Sequence, residues 1–243
     1  MKEEERIVQE IKSDLTKNAD EKYYENTEES REKITAHGAA HHGLKTWLTR
    51  QISSKYFSKI KKKSKKEIFA LCELLLKSGY SEERTIAFDW AFRLRRRYTS
   101  DDFSLLESWL KTYVTGWGSC DDFCTHAFGE FLYQFPEFIS NVKKWTDSEN
   151  RWLRRASAVV LIYSIRRNKS VEEGFEIADM LLPDENDMVQ KGYGWMLKEI
   201  SNLYPKRVFE YVMARRERMP RTSLRYAIEK LSPDLRKRAM EKN

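Results

Sequence analysis

The sequence predicts an all-α fold built from repeated helix pairs. Apolar residues recur at helical spacing through most of the chain, as in Ile7, Val8, Ile11 and Leu15. No segment alternates apolar and polar residues for long enough to require a β-strand. Glycines and prolines separate the periodic segments, where they end helices; these breaks include Gly79, Gly116, Pro136, Pro183, Pro205, Pro220 and Pro233.

A small residue recurs at one point in the second helix of each pair. It lets a neighbouring helix approach closely, and it returns at intervals of roughly 30–40 residues, which is typical of HEAT-like repeats. These positions are Ala87, Ala127, Ala156, Gly192 and Ala227. The sequence therefore predicts a HEAT-like helical-repeat solenoid, a curved superhelix of antiparallel helix pairs.

Composition and charge limit the classes of function. The 243 residues carry 45 Lys and Arg against 38 Asp and Glu, a net charge of +7 with a pI near 9.1. This balance favours a polyanionic partner, with nucleic acid first and a membrane surface second. Three cysteines are too few for a disulfide framework. Since no secretory signal or membrane-spanning stretch is present, we expect a reduced, soluble, cytoplasmic protein.

The residue that precedes each recurring small residue is basic in three of five repeats. Equivalent positions on successive second helices line the concave surface of a solenoid. We therefore expect a concave basic groove that suits duplex DNA, and a solvated helix face is the alternative. The five residues are Ile86, His126, Arg155, Lys191 and Tyr226.

The chain divides into an arm and a repeat domain. Residues 1–35 are highly charged and form an N-terminal helical arm, in which we expect one or two helices. A loose attachment of these helices is one alternative. Residues 36–243 form the repeat domain.

The segment around Trp117 and Asp121 is the first candidate site. Gly116 and Gly118 allow tight backbone geometry before a helix predicted to begin near Ser119. A tryptophan and a carboxylate four residues apart face the same side of a helix, where they can stabilise a cationic centre. The alternative is local capping by Ser119 or Asp121, with Trp117 packed on the core.

Two further segments carry arginine or tryptophan. Arg154 and Arg155 follow Trp152 and offer planar forks for phosphate, or form a solvated face. Gly192 and Gly194 flank Tyr193 before Trp195, at a cost in helix stability of about 1 kcal/mol each. Close helix packing or room for a ligand would explain them. A metal site on Cys120, Cys124 and His126 is not expected, because no fourth ligand is nearby.

Four segments together resemble the AlkD family of HEAT-like-repeat DNA glycosylases, which excise alkylated purines. The resemblance covers the chain from about Gly43 to the C-terminal region. The four segments are Gly43-Leu-Lys-Thr46 followed by Arg50, Trp117-x-x-x-Asp121, Asn150-Arg-Trp-Leu-Arg-Arg155-Ala156, and Gln190-Lys-Gly-Tyr-Gly-Trp195-Met-Leu-Lys-Glu199.

The resemblance implies a site and a reaction. It makes residues 36–243 a DNA glycosylase domain, which hydrolyses the N-glycosidic bond of cationic N3- or N7-alkylated purines in duplex DNA without base flipping. The implied catalytic residues are Asp121, Trp117, Trp195 and Arg155. The implied DNA-binding residues are Lys45, Thr46, Arg50, Arg154, Lys191 and Lys198.

No cofactor and no metal are expected, and the partner is double-stranded DNA that contains alkylated bases. Nothing in the sequence indicates more than a monomer. Two other functions remain open at this point. They are a non-catalytic HEAT-repeat protein that binds nucleic acid and a protein-interaction scaffold.

Overall fold

The computed structural model describes residues 3–20 and 40–241, which form α-helices joined by short turns. Within these ranges the only β-type pairing is one isolated bridge between Ala40 and Tyr80. The predicted all-α helical-repeat fold class is therefore confirmed. The chain forms two compact units, residues 1–127 and 128–243. The predicted boundary near residue 35 lies outside the described residues.

The first unit contains six helices within its described residues. They are α1 (Glu3–Lys17), α2 (Thr46–Ile60), α3 (Lys65–Leu76), α4 (Ser81–Arg93), α5 (Asp102–Tyr113) and α6 (Trp117–Thr125). Helix α4 packs against α2, α3 and α6, and buries the small residue Ala87 beside Ile86 and Trp90.

Helix α1 of the charged arm is firmly attached to the first unit. Its apolar stripe, Ile7 to Leu15, is buried against α2 and α3, and each fully buried aliphatic side chain stabilises the fold by about 1.5–3 kcal/mol. Its acidic face pairs with α2, where Lys55 Nζ lies 2.5 Å from Asp14 and Lys59 Nζ lies 3.0 Å from Glu10. A loose attachment is thus wrong for this helix.

The second unit continues the pattern of paired helices. Its described helices are α7 (Ala127–Gln134, which begins one residue before the unit), α8 (Ile139–Lys144), α9 (Arg151–Val159), α10 (Ile162–Ile165), α11 (Val171–Met180), α12 (Asp187–Leu203), α13 (Pro205–Arg215), α14 (Arg221–Ala227) and α15 (Pro233–Met240). The long helix α12 packs against α9 on one side and against α14 on the other.

Two glycines of α12 allow these close contacts. A Cβ atom at Gly192 would lie 3.0 Å from Cγ of Arg155, and one at Gly194 would lie 2.8 Å from Cβ of Tyr226 and 2.9 Å from the carbonyl oxygen of Ser223. Both distances are shorter than ordinary van der Waals contact. Close helix packing, rather than space for a ligand, therefore accounts for the two glycines.

We predict that Gly194→Ala destabilises the protein by roughly 1–3 kcal/mol, because the added methyl group meets backbone atoms of α14 that cannot rotate away. Gly118→Ala is the matched control, since a Cβ there meets nothing within 4 Å and alanine favours the helix. Denaturant unfolding of both variants measures the difference. A Gly194→Ala protein as stable as the wild type would contradict the packing argument.

Candidate functional site

A buried carboxylate organises the turn before α2. The Glu82 side chain, 6% exposed at the start of α4, accepts hydrogen bonds from three successive backbone N–H groups. These belong to His42, Gly43 and Leu44, at 3.0, 2.9 and 3.2 Å. The positive φ of Gly43, +89°, is a conformation that side-chain-bearing residues rarely adopt. The turn is therefore held in one shape by α4.

The neighbouring carboxylate, Glu83, secures the same turn through its histidine. His42 Nε2 donates to Oε1 of Glu83 at 2.9 Å, and the His42 ring stacks on Tyr80 with centroids 4.1 Å apart. The other oxygen, Oε2, lies 3.8 Å from Nζ of Lys12 on α1. Burial of this carboxylate is offset by these two partners, so α1 and the turn are joined through one group.

The first turn of α2 presents predicted DNA-binding residues to solvent. Lys45, Thr46 and Trp47 are all exposed, and the first turn of the helix contains no acidic residue. One turn further on, Arg50 is held by two carboxylates, with Nη2 at 2.5 Å from Asp122 of α6 and Nη1 at 3.3 Å from Asp89 of α4. Arg50 thus joins three helices of the first unit.

Trp117 and Asp121 lie on one side of α6, as their spacing predicts. The helix begins at Trp117, two residues before the predicted start, because Gly116 is the extended N-cap residue. The Trp117 side chain is 50% exposed, so the alternative in which it packs on the core is wrong. In the alternative of local capping by Ser119 or Asp121, the contact that Ser119 makes is of another kind, since its hydroxyl donates to the Gly116 carbonyl at 3.0 Å.

A buried arginine fixes the segment before Trp117. Arg84 follows Glu82 and Glu83 on α4 and is 6% exposed. Its Nη1 donates to the Thr115 hydroxyl at 3.2 Å. One turn of α4 therefore holds both the turn that precedes α2 and the segment that precedes α6.

His126, at the end of α6, is tied to Asp122. Its Nδ1 lies 2.8 Å from the Asp122 carbonyl oxygen and 3.3 Å from Oδ1 of the carboxylate. The hydrogen bond to the Asp122 carboxylate raises the pKa of His126 above its usual value, against the opposing effect of burial. Cys120 and Cys124 of the same helix are buried. Within the described residues no cluster of His, Cys, Asp or Glu is placed to hold a metal ion.

In the second unit, Arg155 lies inside the contact between α9 and α12. Its side chain is 5% exposed, and Nη1 donates to the Met188 carbonyl oxygen at 2.5 Å. The absent side chain at Gly192 provides the space for its aliphatic part. Arg155 therefore reaches the first turn of α12 with a fixed geometry rather than as a solvated side chain.

Trp195 is oriented by a carboxylate and an arginine. Its indole Nε1 donates to Oε1 of Glu199 at 2.8 Å, and the same oxygen accepts from Nη2 of Arg166 at 2.7 Å. The Arg166 guanidinium also lies 5.9 Å from the Trp195 ring. Burial raises the pKa of Glu199, but the hydrogen bonds from Arg166 and Trp195 outweigh it and lower the pKa below its ordinary value.

The other predicted DNA-binding cations of the second unit each pair with a carboxylate. Arg154 Nε lies 2.6 Å from Asp184 and its Nη1 donates to the Ser148 carbonyl oxygen at 2.8 Å. Lys191 pairs with Asp187 at 2.6 Å, and Lys198 pairs with Glu229 at 3.1 Å. The first pair links α9 to the segment before α12, the second lies within the first turn of α12, and the third links α12 to the segment after α14.

The predicted site residues fall into two groups, one in each unit. The first comprises Lys45, Thr46, Arg50, Trp117 and Asp121, and the second comprises Arg154, Arg155, Lys191, Trp195 and Lys198. Within a unit, the helices described above connect the members of each group. A common groove for the two groups stays a prediction.

Sequence reasoning missed the residues that hold these groups in place. Glu82, Glu83 and Arg84 have the pattern of an ordinary charged first turn, which gives no sign of their burial. Glu199 was detectable only as a carboxylate one turn after Trp195.

In the part of the chain that the structure describes, no helix combines the length and apolar character needed to cross a bilayer.

We predict that Glu199→Gln lowers stability at neutral pH and that its deficit disappears in acid. The folded-state pKa of Glu199 is lowered, so its contribution is present above the ordinary value of 4.5 and is lost as the pH falls through the folded-state pKa. Denaturant unfolding of the wild type and the variant across this pH range shows whether the difference in stability shrinks in acid. A deficit that grows in acid would contradict the assignment.

Comparison with known proteins gives the family and a similar fold. Residues 11–231 match the family model described as "DNA alkylation repair enzyme". A solved structure, a predicted DNA alkylation repair enzyme from Enterococcus faecalis, is similar with a TM-score of 0.74 and 16% sequence identity, over 85% of this chain and 97% of that chain. The structural likeness shows a shared fold. A comparison with curated proteins finds no match.

The family model spans nearly all of the described chain, and the resemblance found in the sequence is confirmed. The role of the protein is in DNA repair, and DNA is its partner. The chain belongs to the family of DNA alkylation repair enzymes.

Proposed function

We propose that the protein is a DNA glycosylase that hydrolyses the N-glycosidic bond of cationic N3- or N7-alkylated purines in duplex DNA. It acts as a cytoplasmic monomer, without a metal or another cofactor. One observation carries the proposal: Trp117 is half exposed at the start of α6, one helical turn before Asp121. A carboxylate beside an aromatic face can stabilise a cationic centre by its charge and by the ring quadrupole.

The chemistry follows from the substrate. An alkylated purine with a positive charge is already a good leaving group, so the enzyme does not need to protonate it. Positive charge instead develops on the deoxyribose as the bond breaks. The Asp121 carboxylate stabilises this charge and orients the attacking water. The C1′–N bond breaks with its electron pair going to the base, and water supplies the new oxygen to C1′ and loses a proton.

Indole rings contribute to the same stabilisation. The face of a tryptophan ring carries partial negative charge and attracts a cationic sugar, by about 1–2 kcal/mol when water is excluded. We assign this role to Trp117 and Trp195. The hydrogen bond from Trp195 to Glu199 prevents rotation of that ring. Little conformational entropy is therefore lost when the ring contacts the sugar.

Basic side chains hold the DNA backbone in this proposal. Lys45, Thr46 and Arg50 contact phosphates from the first unit, and Arg154, Lys191 and Lys198 do so from the second. Arg155, the remaining residue of the implied catalytic set, fixes the first turn of α12 behind them. Contacts to phosphate position the duplex without reading its sequence. A grip on the backbone lets the lesion stay stacked, so base flipping is not required. A non-catalytic nucleic-acid-binding protein would make the same contacts and release no base.

Asp121→Asn is expected to reduce release of 7-methylguanine from methylated duplex DNA by roughly two to three orders of magnitude, because it removes the charge that stabilises the transition state. Binding of undamaged duplex should change little. Asp101→Asn makes the same chemical change at an exposed carboxylate of the first unit and serves as the control. Identification of the free base by mass gives the readout, and full activity of the Asp121→Asn protein would refute the proposal.

Trp117→Ala is expected to slow base release by about 5- to 30-fold, the equivalent of roughly 1–2 kcal/mol in the transition state. The free energy of unfolding should change by less than about 1 kcal/mol, because half of the side chain is already in water. Single-turnover rates and denaturant unfolding of one preparation provide both numbers. A large loss of stability with unchanged catalysis would assign Trp117 to the fold instead.

A further inference from the structure

The loop between α10 and α11, residues 166–170, is basic and conformationally fixed. Asn168 and Ser170 have positive φ angles of 59° and 55°, which costs non-glycine residues about 1–2 kcal/mol each. Backbone hydrogen bonds from Asn168 to Ile165 and from Lys169 to Ser164 close the turn. The Tyr204 hydroxyl donates to the Asn168 side chain at 2.6 Å. The loop is therefore held in one conformation.

Two cations of this loop are supported by aromatic rings. The Arg167 guanidinium lies 3.5 Å from the centroid of the Tyr163 ring, and its Nη1 donates to the Tyr163 carbonyl oxygen at 2.9 Å. Lys169 Nζ lies 4.6 Å from the centroid of the Tyr133 ring. The two tyrosine rings meet edge to face at 6.0 Å. Both cations are exposed, and their positions are set by the rings below them.

The charge of these two groups is not cancelled by a neighbour. Within residues 3–20 and 40–241, no carboxylate oxygen lies close enough to Arg167 or Lys169 to form an ion pair, for which the limit is 4.0 Å. The one acidic group of the cluster, Glu130, accepts from the Tyr163 hydroxyl. By contrast, Arg154, Lys191 and Lys198 each pair with an acid. An aromatic ring holds a cation without neutralising it.

We propose that Arg167 and Lys169 form a clamp for two phosphates of the DNA backbone. The family identifies DNA as the partner, and two exposed, unneutralised, pre-oriented cations are complementary to it. Arg166, the first residue of the loop, contacts both Glu199 and the Trp195 ring. The clamp thus directly follows, along the chain, the arginine that orients Trp195. Its contact with DNA does not depend on the proposed reaction.

The test is the salt dependence of binding to undamaged duplex DNA, measured by fluorescence anisotropy between 50 and 200 mM salt. Each lost phosphate contact makes the slope of log K against log salt shallower by about 0.9. The double variant Arg167→Gln/Lys169→Gln should therefore bind more weakly, with a slope shallower by about 1.8. An unchanged slope would overturn the proposal.

The matched control is Arg236→Gln/Lys237→Gln, which removes two exposed charges from α15 of the same unit. Its slope should stay close to that of the wild type. Equal changes in both double variants would show an effect of net charge and would also overturn the proposal. If the first double variant does not fold, Lys169→Gln alone should make the slope shallower by about 0.9, since this exposed side chain lies on the Tyr133 ring and its loss removes no ion pair among the described residues.

The result is independent of the glycosylase assignment. Undamaged duplex contains no base to release, so the slope reports only contacts to the backbone. A wild-type protein that releases no alkylated base but shows the expected difference in slope would refute the proposed reaction and support the clamp. A wild-type protein that releases the alkylated base, together with an unchanged slope in the double variant, would support the reaction and refute the clamp.

Discussion

Three charged residues in the first turn of α4 determine how the first unit presents its candidate site. Glu82 binds three backbone amides of the turn before α2, Glu83 binds His42, and Arg84 binds Thr115 ahead of Trp117. A buried charge is costly unless it is hydrogen-bonded. Each of these side chains is therefore stable only when its partner loop is in place, and the loops are correspondingly fixed.

The second unit uses close helix contact for the same purpose. Helix α12 has glycine at one point where α9 lies close and at another where α14 lies close. Arg155 occupies the space at Gly192, and the backbone of α14 occupies that at Gly194. A contact through glycine tolerates no larger side chain, so the direction of α12 is closely defined. The directions of Trp195 and Glu199 follow from it.

Ion pairing separates two kinds of basic residue in this chain. Arg50, Arg154, Lys191 and Lys198 each bind a carboxylate of a neighbouring turn or helix, which fixes their position but reduces their local charge. Arg167 and Lys169 lie on aromatic rings and keep their charge. Net charge alone does not distinguish these groups, although Arg167 and Lys169, unlike the four paired residues, present uncompensated charge to a polyanion.

The sequence by itself determined the all-α class, the recurring small residues and the family, because these depend on helical periodicity and on residue types at fixed spacing. It also placed Trp117 and Asp121 on one side of a helix, since that relation is local. Only the tertiary structure decided that Trp117 is exposed and that Glu82, Glu83 and Arg84 are buried. Burial depends on which helices pack together, and the charged pattern Glu-Glu-Arg looks the same in a solvated first turn. The contact of Lys169 with the Tyr133 ring likewise joins residues about one repeat apart, which no local pattern connects, whereas Arg167 and Tyr163 lie one helical turn apart.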